Sequence, residues 1–234
     1  MKDRNPSLIL YIAATILVLV AKVFDDEVLM LITKPMVVPA IYYYYLQTKT
    51  RDVNVVFSVA VWLFFIADMI TLLYGPGGIL YVMGCGIASY LLLSYFAMTD
   101  AVVPRLSVVN AAFLVALTAV LGYWLYTILS MNIETINAHY TFYLAYGIVL
   151  VLLVAVSAFN FLSRSTPVYL NLCLMSLCML ISDLFYSINK FVIEIALLDH
   201  LNLFAQFVSY YFMVRYFVDR RSSVSETFEQ WKQN

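Results

Sequence analysis

The stretch WLFFIADMITLL (62–73) holds one carboxylate, Asp68, and every neighbour of it except Thr71 is apolar. The solvent around that acid decides the fold. Of 234 residues, 64% are hydrophobic and 12% charged. The mean hydropathy is +0.91. A water-soluble domain of this length cannot hide so much apolar surface. The chain therefore reads as an all-α, polytopic transmembrane bundle, because a helix pairs its backbone polar groups within its own segment. A net charge of −1 supplies no basic stripe for nucleic acid. Cys85, Cys173 and Cys178 all fall in apolar runs, with neither metal spacing nor a disulfide framework.

Apolar runs near the length that spans a bilayer mark eight spans: 7–24, 28–46, 53–74, 77–98, 106–129, 138–161, 168–189 and 199–218. The first is long, ends at Lys22 and lacks a small-residue cleavage site, so it reads as a retained span rather than a signal peptide. The turn YGPGG (74–78) separates the third and fourth. Residues 1–218 are expected to form one transmembrane domain, and 219–234 a polar cytoplasmic tail, frayed or amphipathic. Lys2, Arg4, Lys49, Arg51, Arg105, Arg164, Arg220, Arg221 and Lys232 fall on one side of this arrangement. The other side has only Lys22 and Lys190, against Asp25, Asp26, Glu27, Glu134, Glu194 and Asp199. The positive-inside rule then puts both termini in the cytoplasm. Tyr42 to Tyr45 sit at the cytoplasmic end of the second span, where an aromatic belt is expected.

Three ionisable residues lie deep in spans: Lys34, Asp68 and Asp183. Each costs about 2.5–3.5 kcal/mol at a helix centre on insertion scales, and such residues normally face a bundle interior with a partner. Counted by helix rise, these three and Gln206 fall roughly 9–11 Å below the outer ends of their spans. Lys34 could pair with either aspartate as a structural lock. Two acids and one lysine leave one carboxyl over, and low dielectric beside a like charge favours the protonated form of a carboxyl. One protonated and one ionised carboxyl in a shared pocket form a working acid–base arrangement. Ser89 and Ser182 are expected to bond to their own helix backbones. His139 starts the sixth span at the surface. Lys190 ends the seventh, where it can reach the headgroups. The sequence contains no GxSxG, HExxH, Walker A or GxGxxG motif.

Five segments, TKPMVVP (33–39), ADMITLL (67–73), GIASYLLLSYF (86–96), LMSLCMLISDLFYSINKF (174–191) and AQFVSYYFMVRYF (205–217), together resemble the YhhN family, the lysoplasmalogenases of bacteria and animals. Lys34-Pro35 resembles the family's Lys-Pro, Asp68 the aspartate of its Gly-Asp, Ser182-Asp183 its Ser-Asp, and Lys190-Phe191 the basic-aromatic pair that follows. Two positions depart from the pattern. Ala67 replaces the usual glycine, and Ser89 stands where the family has the histidine of Ala-His-x-x-Tyr.

The resemblance implies hydrolysis of the vinyl ether of a lysoplasmalogen, a single-chain lysophospholipid, to a fatty aldehyde and a glycerophospho-alcohol. It implies Asp68 and Asp183 as the catalytic carboxyls, in either order. Support would come from Lys34, Ser89, Tyr90, Ser182 and Gln206. It calls for neither cofactor nor metal, and suits a multi-pass protein of a bacterial cytoplasmic membrane. Intramembrane Asp and Lys also mark proton-coupled transporters. A non-catalytic lipid-binding protein is the third alternative.

Overall fold

The computed structural model describes residues 6–49, 53–101, 107–131 and 139–233, with side chains described except at Pro76 and from 221 onward. These residues form eight α-helices and no strands: α1 (Pro6–Val23), α2 (Glu27–Thr48), α3 (Val55–Tyr74), α4 (Ile79–Thr99), α5 (Val108–Ser130), α6 (Tyr140–Ser163), α7 (Pro167–Phe191) and α8 (Ala196–Gln233). A single 3-10 turn, Gly75–Gly78, joins α3 to α4. Helices α1 to α7 are each long and apolar enough to cross a membrane. Lys2, Arg4, Arg51, Arg105 and Glu134 of the charge count lie outside the described residues.

Local chemistry sets the helix ends. Asp26 caps α2 by accepting from Leu29 N at 2.9 Å, and Asn54 caps α3 from Phe57 N at 3.1 Å. Pro167 opens α7 at a position that needs no N–H donor. α3 stops at Gly75, whose φ of +51° is left-handed and costs glycine little. Pro35 and Pro39 lie within α2, yet the helix continues through both.

Six helices close a ring. α2 packs on α3, α3 on α4, α4 on α6, α6 on α7, α7 on α8, and α8 returns to α2. α1 sits outside, against α2 and α8, and α5 outside, against α6. α5 buries only Leu121 and Leu129, the pattern of a helix with most of its surface turned outward.

The polar segment after 218 continues α8 as one helix to Gln233. One expectation needs correction. The tyrosine run is not a belt. Tyr44 and Tyr45 are buried, Tyr42 bonds to Ser58 Oγ at 2.9 Å, and Tyr43 alone is exposed. Four consecutive helical residues point in four directions, so they cannot share one lipid-facing surface.

One end of the ring is tied by a buried charge cluster. Arg220 grips Asp100 with two 2.7 Å bonds, to Oδ1 and Oδ2, and Tyr216 donates to Oδ2 at 2.6 Å. The Arg164 guanidinium donates to the Asp100 carbonyl. Asn160 Nδ2 donates to Ala97 O at 2.7 Å. The Asp100 side chain is 3% exposed, so the cluster locks α4, α6 and α8 in a dry setting. Arg220→Gln is expected to destabilise the fold by about 3–5 kcal/mol, since it leaves a buried carboxylate without its cation. Thermal unfolding in detergent measures the loss.

Candidate functional site

The opposite end of the ring encloses a cavity of about 850 Å³. Its rim carries Lys22, Lys190 and Asp199 from the ends of α1, α7 and α8, with Gly75 and Glu194 from the turns after α3 and α7. Lys34, Asp68 and Asp183 line it deeper in the ring.

Asp68 is buried, accepts two hydrogen bonds and has one cation beside it. Lys34 Nζ stands 3.7 Å from Oδ1, Gln206 Nε2 donates to Oδ1 at 3.0 Å, and Tyr210 Oη donates to Oδ2 at 3.1 Å. Gln206 also donates to Tyr210 Oη at 2.8 Å. Lys34 and Asp68 are each more than nine-tenths buried. Neither charge could stay at that depth alone, so the pair holds α2, α3 and α8 in one register.

Asp183 has a different setting. It is half-buried on α7 and makes no ion pair among the described residues. Tyr90 Oη on α4 and Tyr146 Oη on α6 both donate to its Oδ2, at 2.9 and 2.8 Å. Oδ1 has no protein donor among the described residues. Tyr146 can reach this point because α4 offers Gly86 there: a Cβ at that position would meet Tyr146 Cε2 at 2.7 Å. The two acids do not touch. Phe64 stands between their partners, its ring 5.9 Å from Tyr90 and 5.6 Å from Tyr210.

Of the residues singled out in the sequence, Lys34, Asp68, Tyr90, Ser182, Asp183 and Gln206 all line this one cavity. The lysine's partner, left open by the sequence, is Asp68. Ser89 does not line the cavity. It is fully buried, and its hydroxyl donates to Ala60 O of α3 at 3.3 Å rather than to its own helix. Ser182 likewise bonds outside its helix, to Asn202 Oδ1 of α8 at 2.6 Å. In both cases the neighbouring helix comes close enough to compete with the backbone four residues back. His139 sits at the start of α6 without a side-chain capping bond. Lys190 stands at the rim rather than only beside the headgroups.

Sequence reasoning missed Tyr146, Tyr210 and Asn202. Asn202, Gln206 and Tyr210 recur every four residues and so share one face of α8, a signal that was legible. Tyr146 carried none: it is one of three tyrosines in the first two turns of α6.

Comparison with protein families, with curated proteins and with solved structures finds no match to this chain.

Lys34→Met should lower the melting temperature in detergent, because Asp68 keeps two neutral donors but loses its cation. Adding Asp68→Leu to Lys34→Met should recover part of that loss, since removing both charges together ends the desolvation cost. A double variant no more stable than Lys34→Met would show that the pair is not energetically coupled.

Proposed function

We propose that this chain is a membrane-embedded hydrolase that cleaves the vinyl ether of a single-chain lysophospholipid, as its motif-level resemblance to the YhhN lysoplasmalogenases implies. One observation carries the reading: two carboxyls face one cavity, and among the described residues only one of them has a cation. Asp68, beside Lys34, is the anion that stabilises developing positive charge. Asp183, whose Oδ1 has no donor among the described residues, holds the proton that the reaction needs.

The chemistry follows from those roles. Asp183 gives its proton to the alkene carbon distal to the ether oxygen, leaving an oxocarbenium ion. Asp68 and the faces of Phe64 and Tyr90 stabilise that cation. Water adds to it and returns a proton to Asp183. The hemiacetal then collapses to aldehyde and alcohol, its hydroxyl proton passing to the departing oxygen. Paired carboxyls divide an oxocarbenium reaction in a similar way in glycosidases. Tyr90 and Tyr146 fix the rotamer of Asp183 by holding Oδ2. Ser89, the residue in the place of the family's histidine, lies against α3, so that replacement removes nothing from the cavity wall of this chain.

The same reading places α8 as an eighth span, because it packs within the ring beside α2 and α7. Both termini are then cytoplasmic. Lys49, Arg164 and Arg220 lie at the locked end, and the acidic residues Asp25, Asp26, Glu27, Glu194 and Asp199 at the cavity end. The cavity accordingly faces the outer leaflet.

Purified protein incubated with a lysoplasmalogen should release fatty aldehyde. Asp68→Asn and Asp183→Asn should each reduce release by about 10²–10⁴-fold, the usual contribution of a positioned acid or base. Tyr146→Phe should leave activity reduced by roughly tenfold, since one of two rotamer-fixing hydrogen bonds remains. Binding without aldehyde release, or proton-coupled flux in liposomes, would replace this reading with a lipid-binding or a transport function.

A further inference from the structure

Three lysines line the cavity, and they are not alike. Lys22 and Lys190 stand at the rim, and Lys22 is taken by Asp199 at 2.6 Å. Lys34 lies deeper, its side chain only 9% exposed. Its Nζ is 3.7 Å from Asp68 Oδ1, beyond hydrogen-bond reach, and makes no hydrogen bond among the described residues. The ion pair at the locked end is closer: Arg220 meets Asp100 at 2.7 Å. A buried ammonium has three N–H donors to satisfy. Those of Lys34 are left over, on a residue that lines the cavity.

Gln206 and Tyr210 already position the two oxygens of Asp68. What the carboxylate needs from Lys34 is its positive charge, because a buried anion without a cation is costly. The nitrogen can therefore change its covalent partner as long as the charge stays. Acylation would remove the charge and strand Asp68. Condensation with an aldehyde keeps it, since a protonated imine is a cation in the same place. Lysine amines form such imines with carbonyl compounds, and a carboxylate within a membrane can serve as counterion to a bound cationic group.

The rest of the wall suits an alkyl chain. Met30, Phe64, Met83, Met179 and Leu203 line the cavity beside these polar groups. Methionines adapt to the shape of an apolar ligand. The volume of about 850 Å³ lies within the range of about 300–1,000 Å³ typical of pockets that enclose a small ligand.

We infer that Lys34 is a covalent capture site for a long-chain aldehyde, held as a protonated imine with Asp68 as its counterion. Asp68 takes one ammonium proton, and the freed lone pair attacks the carbonyl carbon. A second proton passes from nitrogen to the former carbonyl oxygen. The resulting hydroxyl takes the proton held on Asp68 and leaves as water. Nothing is oxidised or reduced, and addition of water reverses the step. The source of the aldehyde, as product of the same cavity, rests on the hydrolase reading above. The capture site rests on the setting of Lys34.

The test supplies hexadecanal and the imine reductant cyanoborohydride to the full chain in phosphatidylcholine nanodiscs, whose lipid has no primary amine to compete. Peptide mass spectrometry should find the hexadecyl group on Lys34 at least about tenfold faster than on Lys49, because a bound aldehyde gains effective concentration over a free one. Lys49 follows the other end of the same helix, away from the cavity. In the chain denatured with dodecyl sulfate the two should label alike. No label on Lys34, a rate no higher than at Lys49 or Lys190, or a preference that survives denaturation would each overturn the proposal. Labelling of Lys34 without aldehyde release from a true vinyl ether would refute the hydrolase reading and leave the capture site standing. Aldehyde release with Lys34 unlabelled would do the reverse.

Discussion

A lysine and an aspartate, each more than nine-tenths buried deep in the bundle, need each other. Lys34 and Asp68 come from different helices, and Gln206 and Tyr210 add neutral donors from a third. Either charge alone would be a large penalty in an apolar surround; together, with Gln206 and Tyr210 bonded to the carboxylate, they become a fixed point. The position of α2 against α3 and α8, and hence the closure of the ring, depends on it.

The two ends of the bundle divide the work. At one, Asp100 is enclosed by Arg220, Tyr216 and the Arg164 guanidinium, and aromatic side chains such as Phe57, Phe96 and Phe217 fill the space between helices. That end is dry and cross-linked. At the other, polar side chains face an open volume and link the helices around its wall. Rigidity at the locked end lets the cavity end stay hollow without the ring collapsing. It also holds Tyr90 and Tyr146 still, so that Asp183 presents one oxygen and not an average over rotamers.

Depth within a span was legible from residue counting alone. Lys34, Asp68, Asp183 and Gln206 were placed near one level, and all four line one cavity. Direction around the helix was much harder to read. A span that is apolar on every side has no polar face to mark its interior, so Ser89 could not be told from a cavity residue. The structure turns it to Ala60 O. Tyr146 was hidden for the same reason, being a tyrosine among tyrosines. Gln206 was easier, because α8 is the helix with the most polar residues; Tyr210, which was missed, shares its face four residues on.

The sequence by itself determined the class of fold and, except at the far end of α8, the helix boundaries to within a few residues. Apolar runs of bilayer length have one backbone solution each, so these are local facts. It also determined that some charges had to meet, since isolated ones would be too costly at that depth. Only the tertiary structure decided which acid took the lysine and which was left with two tyrosines. Only it turned Ser89 away from the cavity and Tyr146 into it. Those outcomes depend on rotation about each helix axis and on packing between helices distant in the chain, and no local pattern encodes either.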